Sequence, residues 1–419
     1  MKVLCLYSNS YGGGTEAVLR NGLPFINGTP GIRVTFHDLY SRPSVNRKFE
    51  DLGLPIWRTG RTEDTSILSF RSGFRRKLDV AAAIPRHLQI ALRLRPALCE
   101  CDVLYVHGYK DLALCQAARL ASTQPSRPIV WHCHGLGDDQ RPPMLPALAN
   151  RCARVIAISE DVRNHLVAIG VRSSIVRAVY NAVDYRRIEE AALRSPTQPL
   201  PRIGTRRIVL LCPAAIRADK GIHLAIEALS GLPRDVDVWV TGDTSDSAAS
   251  DYLHNLLSLA ERVGVRERVF FLGVRTDLPA VMSVAHVICV PSIVREGFAL
   301  VAAEAMALGK AVVASSRGAL PEVVRDGESG LTFDPDRPGD LARKLSVLLA
   351  DSALAASLGA AGRRSVMLRF TYDRWASEVI AQLRAAASLG ESTGAAFRSG
   401  NGQAEINSGA CRQVETKSR

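Results

Sequence analysis

The stretch from Pro291 to Lys310, PSIVREGFALVAAEAMALGK, constrains the fold of this chain more than any other. The apolar run Val287-Ile288-Cys289-Val290 reads as a buried strand, Pro291 ends it, and Gly297 permits a tight turn into a helix that stops at Gly309. A helix that starts just past the carboxyl end of a strand aims unpaired backbone N–H groups and the positive end of its dipole into a crevice, so this βα unit predicts an anion site. Between the two glycines every residue except Glu304 is apolar or small, which predicts a buried helix. A lone carboxylate on such a helix needs a partner, because burying even a neutral polar group unpaired costs roughly 2–7 kcal/mol. A pair of sugar hydroxyls would serve, and so would an arginine or an exposed helix face.

Glu296 and Glu304 flank the segment Gly297-Phe298-Ala299-Leu300, and Glu-Ala-Met-Ala-x-Gly-x-x-Val-Val-Ala-Ser follows from Glu304. This pattern resembles the E-x7-E motif of family 4 glycosyltransferases. The resemblance implies an α/β chain of the GT-B type, two Rossmann-like doubly wound domains facing a central cleft, and a transfer that retains anomeric configuration. It also implies Glu296 on the donor sugar, Glu304 on the nucleotide ribose, and Gly297, Phe298, Ala299 and Leu300 around the diphosphate. The family usually has glycine where this chain has Ala299.

Length and composition agree with two soluble domains: 419 residues suffice for two cores, and no run approaches the roughly 18 uncharged apolar residues of a membrane span. The N-terminus passes straight from Met1-Lys2 into a strand, so a cytoplasmic location is expected. Nine scattered cysteines without a Cys-x-x-Cys read as buried reduced thiols. Charge is uneven. Residues 1–200 hold 27 Lys/Arg against 17 Asp/Glu, and the remainder 26 against 24. That excess suits nucleic acid, an anionic membrane surface or a phosphorylated substrate.

In chain order, Lys2–Tyr7 reads as a first strand, and Tyr11-Gly12-Gly13-Gly14-Thr15-Glu16 as a glycine loop opening a helix. The loop is similar to the family's Gly-Gly-x-Glu segment, which places Gly13 and Gly14 beside the donor. Further strands are expected at Gly31–His37, Asp102–Val106, Pro128–Cys133, Arg154–Ser159 and Ile175–Tyr180. Between Arg71 and Arg95 seven basic residues and one acidic residue interleave with apolar ones. The stretch suits either the inner leaflet of a membrane or a helix pair packed on the sheet, since Pro85 interrupts any single long helix.

Trp131-His132-Cys133-His134-Gly135 ends a strand. His132 and His134 fall on one face, yet no third ligand has a recognisable metal spacing. By position the family's histidine near the transferred sugar is His134; a capping histidine is the alternative. Tyr180-Asn181-Ala182-Val183-Asp184 is similar to the end of the family's first domain, with Asn-Ala for the usual Asn-Gly.

These signals divide the chain into an acceptor-side domain at 1–193, a proline-rich linker at 194–206, a nucleotide-sugar domain at 207–370, a closing helix at 371–388 that crosses back to the first domain, and a disordered tail at 389–419. Strands of the second sheet are expected at Arg207–Cys212, Val236–Thr241, Val269–Leu272, Val287–Val290, Ala311–Ser315 and Leu331–Phe333. After the first of these, in Cys212-Pro-Ala-Ala-Ile-Arg217-Ala-Asp-Lys220-Gly221, family members carry an arginine five residues before the lysine, where this chain has Ala215. Arg217 either takes over that phosphate contact beside Lys220 or is a solvated loop residue.

The expected activity is a hexosyltransferase using a UDP- or GDP-sugar on a saccharide or lipid-linked acceptor of bacterial surface polysaccharide synthesis. Catalysis falls to Glu296, His134, Lys220 and Arg217. No cofactor or metal is expected, because no Asp-x-Asp pair precedes a plausible donor pocket. An epimerase of nucleotide sugars would need a carboxylate-rich site, and an RNA-binding protein an aromatic-basic motif; neither signal is present, so no nucleic-acid partner is expected.

Overall fold

The computed structural model describes residues 1–8, 14–40, 42–58, 89–94, 96–98, 100–120, 127–135, 143–201, 207–244 and 247–400, with backbone alone at 120 and 390–400. Two parallel six-stranded sheets organise them. The first holds β1 (Lys2–Tyr7), β2 (Arg33–Asp38), β3 (Val103–His107), β4 (Ile129–Cys133), β5 (Arg154–Ala157) and β6 (Val176–Ala178) in the order β2-β1-β3-β4-β5-β6. The second holds β7 (Ile208–Pro213), β8 (Val236–Thr241), β9 (Val269–Phe271), β10 (Val287–Val290), β11 (Ala311–Ser315) and β12 (Leu331–Phe333) in the order β12-β11-β10-β7-β8-β9. Helices cover both faces, so β3, β4 and β8 are buried along their whole length and read as largely apolar runs, with His107, His132 and Asp237 as buried polar exceptions, rather than as alternating ones. All twelve strands begin and end within two residues of their expected bounds.

Strand order decides where a ligand can sit. In the first sheet the chain reverses direction of winding between β1 and β3, and in the second between β7 and β10. Crevices open beyond the carboxyl ends of strands at such switch points. The loops that leave those four strands therefore carry the candidate site.

The helix Tyr185–Ala192, assigned from sequence to the first domain, packs against the helices Leu278–Val284 and Leu300–Ala307 of the second. Two helices meet at Phe370-Thr371, the expected start of the closing helix. Ser352–Arg369 lies on β11 and the Leu300–Ala307 helix, whereas Tyr372–Gly400 packs on the Gly14–Asn27 helix and on β3, β4 and β5 of the first sheet. That contact depends on Gly22: a Cβ there would lie 2.4 Å from the buried Trp375 ring. The last helix continues to Gly400, so the expectation of a tail disordered from 389 is corrected for 389–400; residues 401–419 lie outside the described residues. Among the described residues no single helix is long and apolar enough to cross a membrane. Most of the Arg71–Arg95 stretch lies outside them; within it Ile90, Ala91 and Leu94 are buried in the first core.

Candidate active site

The loop after β7 and the loop after β10 meet through a glycine. Gly221 has φ +66°, and a Cβ on it would lie 2.0 Å from the carbonyl oxygen of Pro291, so only glycine lets the short turn Ala218–Lys220 rest against the end of β10. Ile293 N–H donates to the Asp219 carbonyl at 3.0 Å and fixes the register of the two loops. Lys220 Nζ then stands 2.6 Å from Glu296 Oε1. The Ser292 hydroxyl donates to the same oxygen. The backbone of Glu296 is held as firmly: its carbonyl accepts from Ala319 N–H at 2.9 Å, and Gly318, at φ +57°, presses so close that a Cβ would lie 2.5 Å from Glu296 N and O.

Past Glu296, the chain enters the Leu300–Ala307 helix through Ala299 at φ 47°, ψ 61°. Among the described residues Ala299 is the one non-glycine with positive φ. An alanine in that left-handed region costs roughly 1–2 kcal/mol, so the backbone keeps the conformation that glycine would adopt freely. Phe298 is buried, its ring centroid 5.1 Å from Phe370 and 6.3 Å from Tyr180. Glu304 follows on the next turns of the helix. Among the described residues no hydrogen bond or ion pair reaches its carboxyl, and burial pushes its pKa up to about 7.

The two halves touch at this loop. A Cβ on Gly297 would lie 3.0 Å from Ile158 Cδ1 and 3.1 Å from the His134 carbonyl, and one on Gly14 would lie 2.9 Å from Leu300 Cδ1. Arg295 binds Asp161 through both ends of its guanidinium, at 3.1 and 2.6 Å. The Glu322 carboxylate accepts from the N–H groups of Glu160 and Asp161, at 2.9 and 2.6 Å, and so caps the Glu160–Ala168 helix from across the cleft. A cavity of ≈ 220 Å³ remains between them, lined by His134, Gly135, Asp161, His165, Arg295 and Glu296.

Behind His134 the structure places a third histidine. His107, at the end of β3, has Nδ1 2.9 Å from His134 Nε2, while the Tyr105 hydroxyl lies 2.6 Å from His132 Nδ1. Burial holds His107 and His132 well below the usual imidazole range, each lowered further by its histidine neighbours, and burial alone takes His134 down to about 3. All three are therefore neutral at pH 7. Their nitrogens lie within 4.8 Å of one another, a cluster that admits a metal by distance. Ring geometry argues otherwise: His132 and His134 are stacked at 4.3 Å with planes only 25° apart, so their in-plane lone pairs do not meet at a zinc–nitrogen bond length of roughly 2.0–2.1 Å.

Arg217 lies apart from this group. Its side chain, 61% exposed, forms an ion pair with Asp219 two residues on, and only its backbone meets Lys220, the carbonyl accepting from Lys220 N–H at 3.1 Å. The Asp-x-Asp sequences of the second half have structural partners instead: Asp237 on β8 binds Arg207, and Asp336 binds Arg317. Gly13 lies outside the described residues.

Two family models match the chain in succession, Glycosyltransferase Family 4 over residues 43–187 and Glycosyl transferases group 1 over residues 199–365. The chain belongs to the family 4 glycosyltransferases. A D-inositol 3-phosphate glycosyltransferase of Salinispora arenicola is 36% identical over 219 residues, which are 49% of this chain and 48% of that protein. The chain thus spans about half the length of such curated relatives. A GDP-mannose-dependent alpha-(1-6)-phosphatidylinositol monomannoside mannosyltransferase of Mycobacterium tuberculosis is 29% identical over 315 residues, 70% of this chain and 79% of that one. Among solved structures, Anabaena HepE in complex with UDP superposes with a TM-score of 0.72 at 23% identity, covering 92% of this chain and all of that one, which establishes the GT-B fold.

The sequence reading grouped Glu296, Glu304, the Gly297–Leu300 loop, Lys220 and His134, and in the structure Lys220 pairs with Glu296 while His134 and Glu296 line one cavity. Three partners were missed. His107 sits in a strand that reads as plain core, and Ser292 looks like a strand-ending residue. Glu322 is distant in sequence from the helix it caps. The one signal for Ser292 was its position four residues before Glu296.

Proposed function

We propose that the chain is a retaining, metal-independent hexosyltransferase that moves a sugar from a UDP- or GDP-activated donor to a saccharide or lipid-linked acceptor of bacterial surface polysaccharide synthesis. The observation that carries this reading is Glu304: a shielded carboxylate with no partner among the described residues, on the helix that opens beside Glu296 and Lys220. A ribose diol supplies the two donors such a group lacks. The names of the relatives, one dependent on GDP-mannose, and of a fold neighbour holding UDP support a nucleotide-sugar donor.

In this reading the acceptor hydroxyl bonds to the anomeric carbon on the face the diphosphate leaves. The bond between that carbon and the phosphate oxygen breaks with its electron pair staying on the diphosphate, which also takes the acceptor's proton. Lys220 and the amides at the start of the Leu300–Ala307 helix meet the developing negative charge, and Arg217 joins them once released from Asp219. Neutral His134 and the side chain of Glu296 hold sugar hydroxyls. Positive charge in the first half draws the enzyme to an anionic membrane leaflet, each basic residue near the surface contributing about 1 kcal/mol. Cosedimentation with anionic but not neutral vesicles tests that part.

The donor is tested by thermal shift with a nucleotide-sugar panel. A donor at about 100 times its dissociation constant stabilises by roughly 2.7 kcal/mol. A UDP- or GDP-sugar should raise Tm without added metal and keep doing so in EDTA. No shift from any nucleotide sugar contradicts the reading.

A further inference from the structure

Glu296 shares its two carboxylate oxygens unequally. Oε1 takes both Lys220 Nζ, at 2.6 Å, and the hydroxyl of Ser292, a residue 2% exposed just past the end of β10. No such donor reaches Oε2 among the described residues, and Glu296 lines the cavity between the halves. Because Ala319 and Gly318 also fix the Glu296 backbone, only the side-chain torsions remain free, and the hydroxyl is what fixes them. Lys220 alone cannot do so. In the proposed reaction it also meets the leaving diphosphate, and a cation shared with phosphate releases its hold on the carboxylate.

Resting on the transferase reading, we propose that Ser292 is a positioning residue: it locks Glu296 with Oε1 turned inward and Oε2 toward the sugar, and keeps it there when Lys220 turns to the diphosphate. The hydroxyl is short and buried, and Ser292 sits two residues past β10 in a loop that Ile293 N–H pins to the Asp219 carbonyl at 3.0 Å, so its direction is set by the joined loops. A misplaced carboxylate loses an interaction made in the transition state while the nucleotide remains bound elsewhere.

The test measures release of nucleoside diphosphate from the donor that gives the largest thermal shift, with water or a sugar as acceptor, under single-turnover conditions. Ser292→Ala should lower the rate roughly tenfold or more while donor affinity stays within about twofold. Ser292→Thr, which restores a hydroxyl, should recover most of it. In a Glu296→Gln background Ser292→Ala should have little further effect, because a group acting only through Glu296 has nothing left to position. An equal loss in both backgrounds, or none in the first, overturns the inference whether or not the threonine variant folds. A wild-type chain that turns over no nucleotide sugar overturns the transferase reading and takes the inference with it.

Discussion

The two walls of the cleft solve opposite electrostatic problems. At the ends of β7 and β10, Lys220, Glu296, Arg217 and Asp219 are ionic and partly solvated. At the ends of β3 and β4, His107 and His132 are buried and His134 half-buried at the cavity, and all three are held neutral. The second wall offers polar nitrogens without charge, suited to hydroxyl groups, whereas the first offers the charge that the proposed reaction would turn toward a diphosphate. Glu304 belongs to the charged wall by position and to the neutral one by environment, since burial brings its pKa near 7.

The largest effect should come from breaking the charged wall. Lys220→Ala should reduce kcat/KM roughly a hundredfold or more, the scale of one lost preorganised transition-state contact. Loss of less than about threefold would remove Lys220 from the chemistry. Glu296→Gln should likewise act on kcat rather than on donor affinity.

The neutral wall should show itself in stability. A histidine whose folded pKa is depressed leaves the unfolded chain binding more protons below about 6.5, so stability is full above that pH and falls as pH drops toward the folded value. With three such histidines, unfolding free energy should fall steeply from pH 6.5 to 4.5. His107→Gln should flatten that slope by up to about 1.4 kcal/mol per pH unit. An unchanged slope would mean that His107 is charged in the folded state. Glu304 has the opposite sign: its raised pKa leaves the folded chain holding the extra proton, and that contribution is lost as pH rises through about 7.

Gly22→Ala sharpens a different contrast, because Trp375 docks the last helix on the Gly14–Asn27 helix of the first half. Its methyl would meet the ring at 2.4 Å, and overpacking of that kind costs roughly 1–3 kcal/mol, read as a lower Tm with the wild-type pH profile. The smallest effect should be Ala299→Gly, a gain of at most about 1 kcal/mol, since relief of left-handed strain is offset by the flexibility of glycine in the unfolded chain.

Much of the fold was legible because parallel strands buried on both faces leave continuous apolar runs, and Val287–Val290, Ala311–Ser315 and Leu331–Phe333 begin and end where those runs do. Helix ends were less legible. Gly390 and the polar residues after it read as a stop near Ser388, yet the last helix runs on to Gly400; at the break after Phe370, that ring packs against Phe298 and Tyr180 rather than following a glycine or proline. Within the site, Glu304 announced itself by standing alone in an apolar helix unit, and Glu296 by its spacing from Glu304 in the E-x7-E pattern. Their partners did not, since Lys220 reaches Glu296 only after two loops converge on Gly221, and His107 reaches His134 only across two neighbouring strands.

The central claim is that Glu304 holds the ribose of a nucleotide sugar as a carboxylate. Calorimetric titration with UDP-glucose and GDP-mannose at pH 6 and pH 8, for wild type and Glu304→Gln, tests it directly, because neither sugar nucleotide carries a phosphate monoester that titrates in this range. Wild type should bind one of them several-fold more tightly at pH 8, where Glu304 is ionised without a binding partner's help. Glu304→Gln should bind it more weakly, by about 1.5–3 kcal/mol at pH 8, and with no pH dependence between the two. Equal affinities for wild type and Glu304→Gln at both pH values would contradict the account.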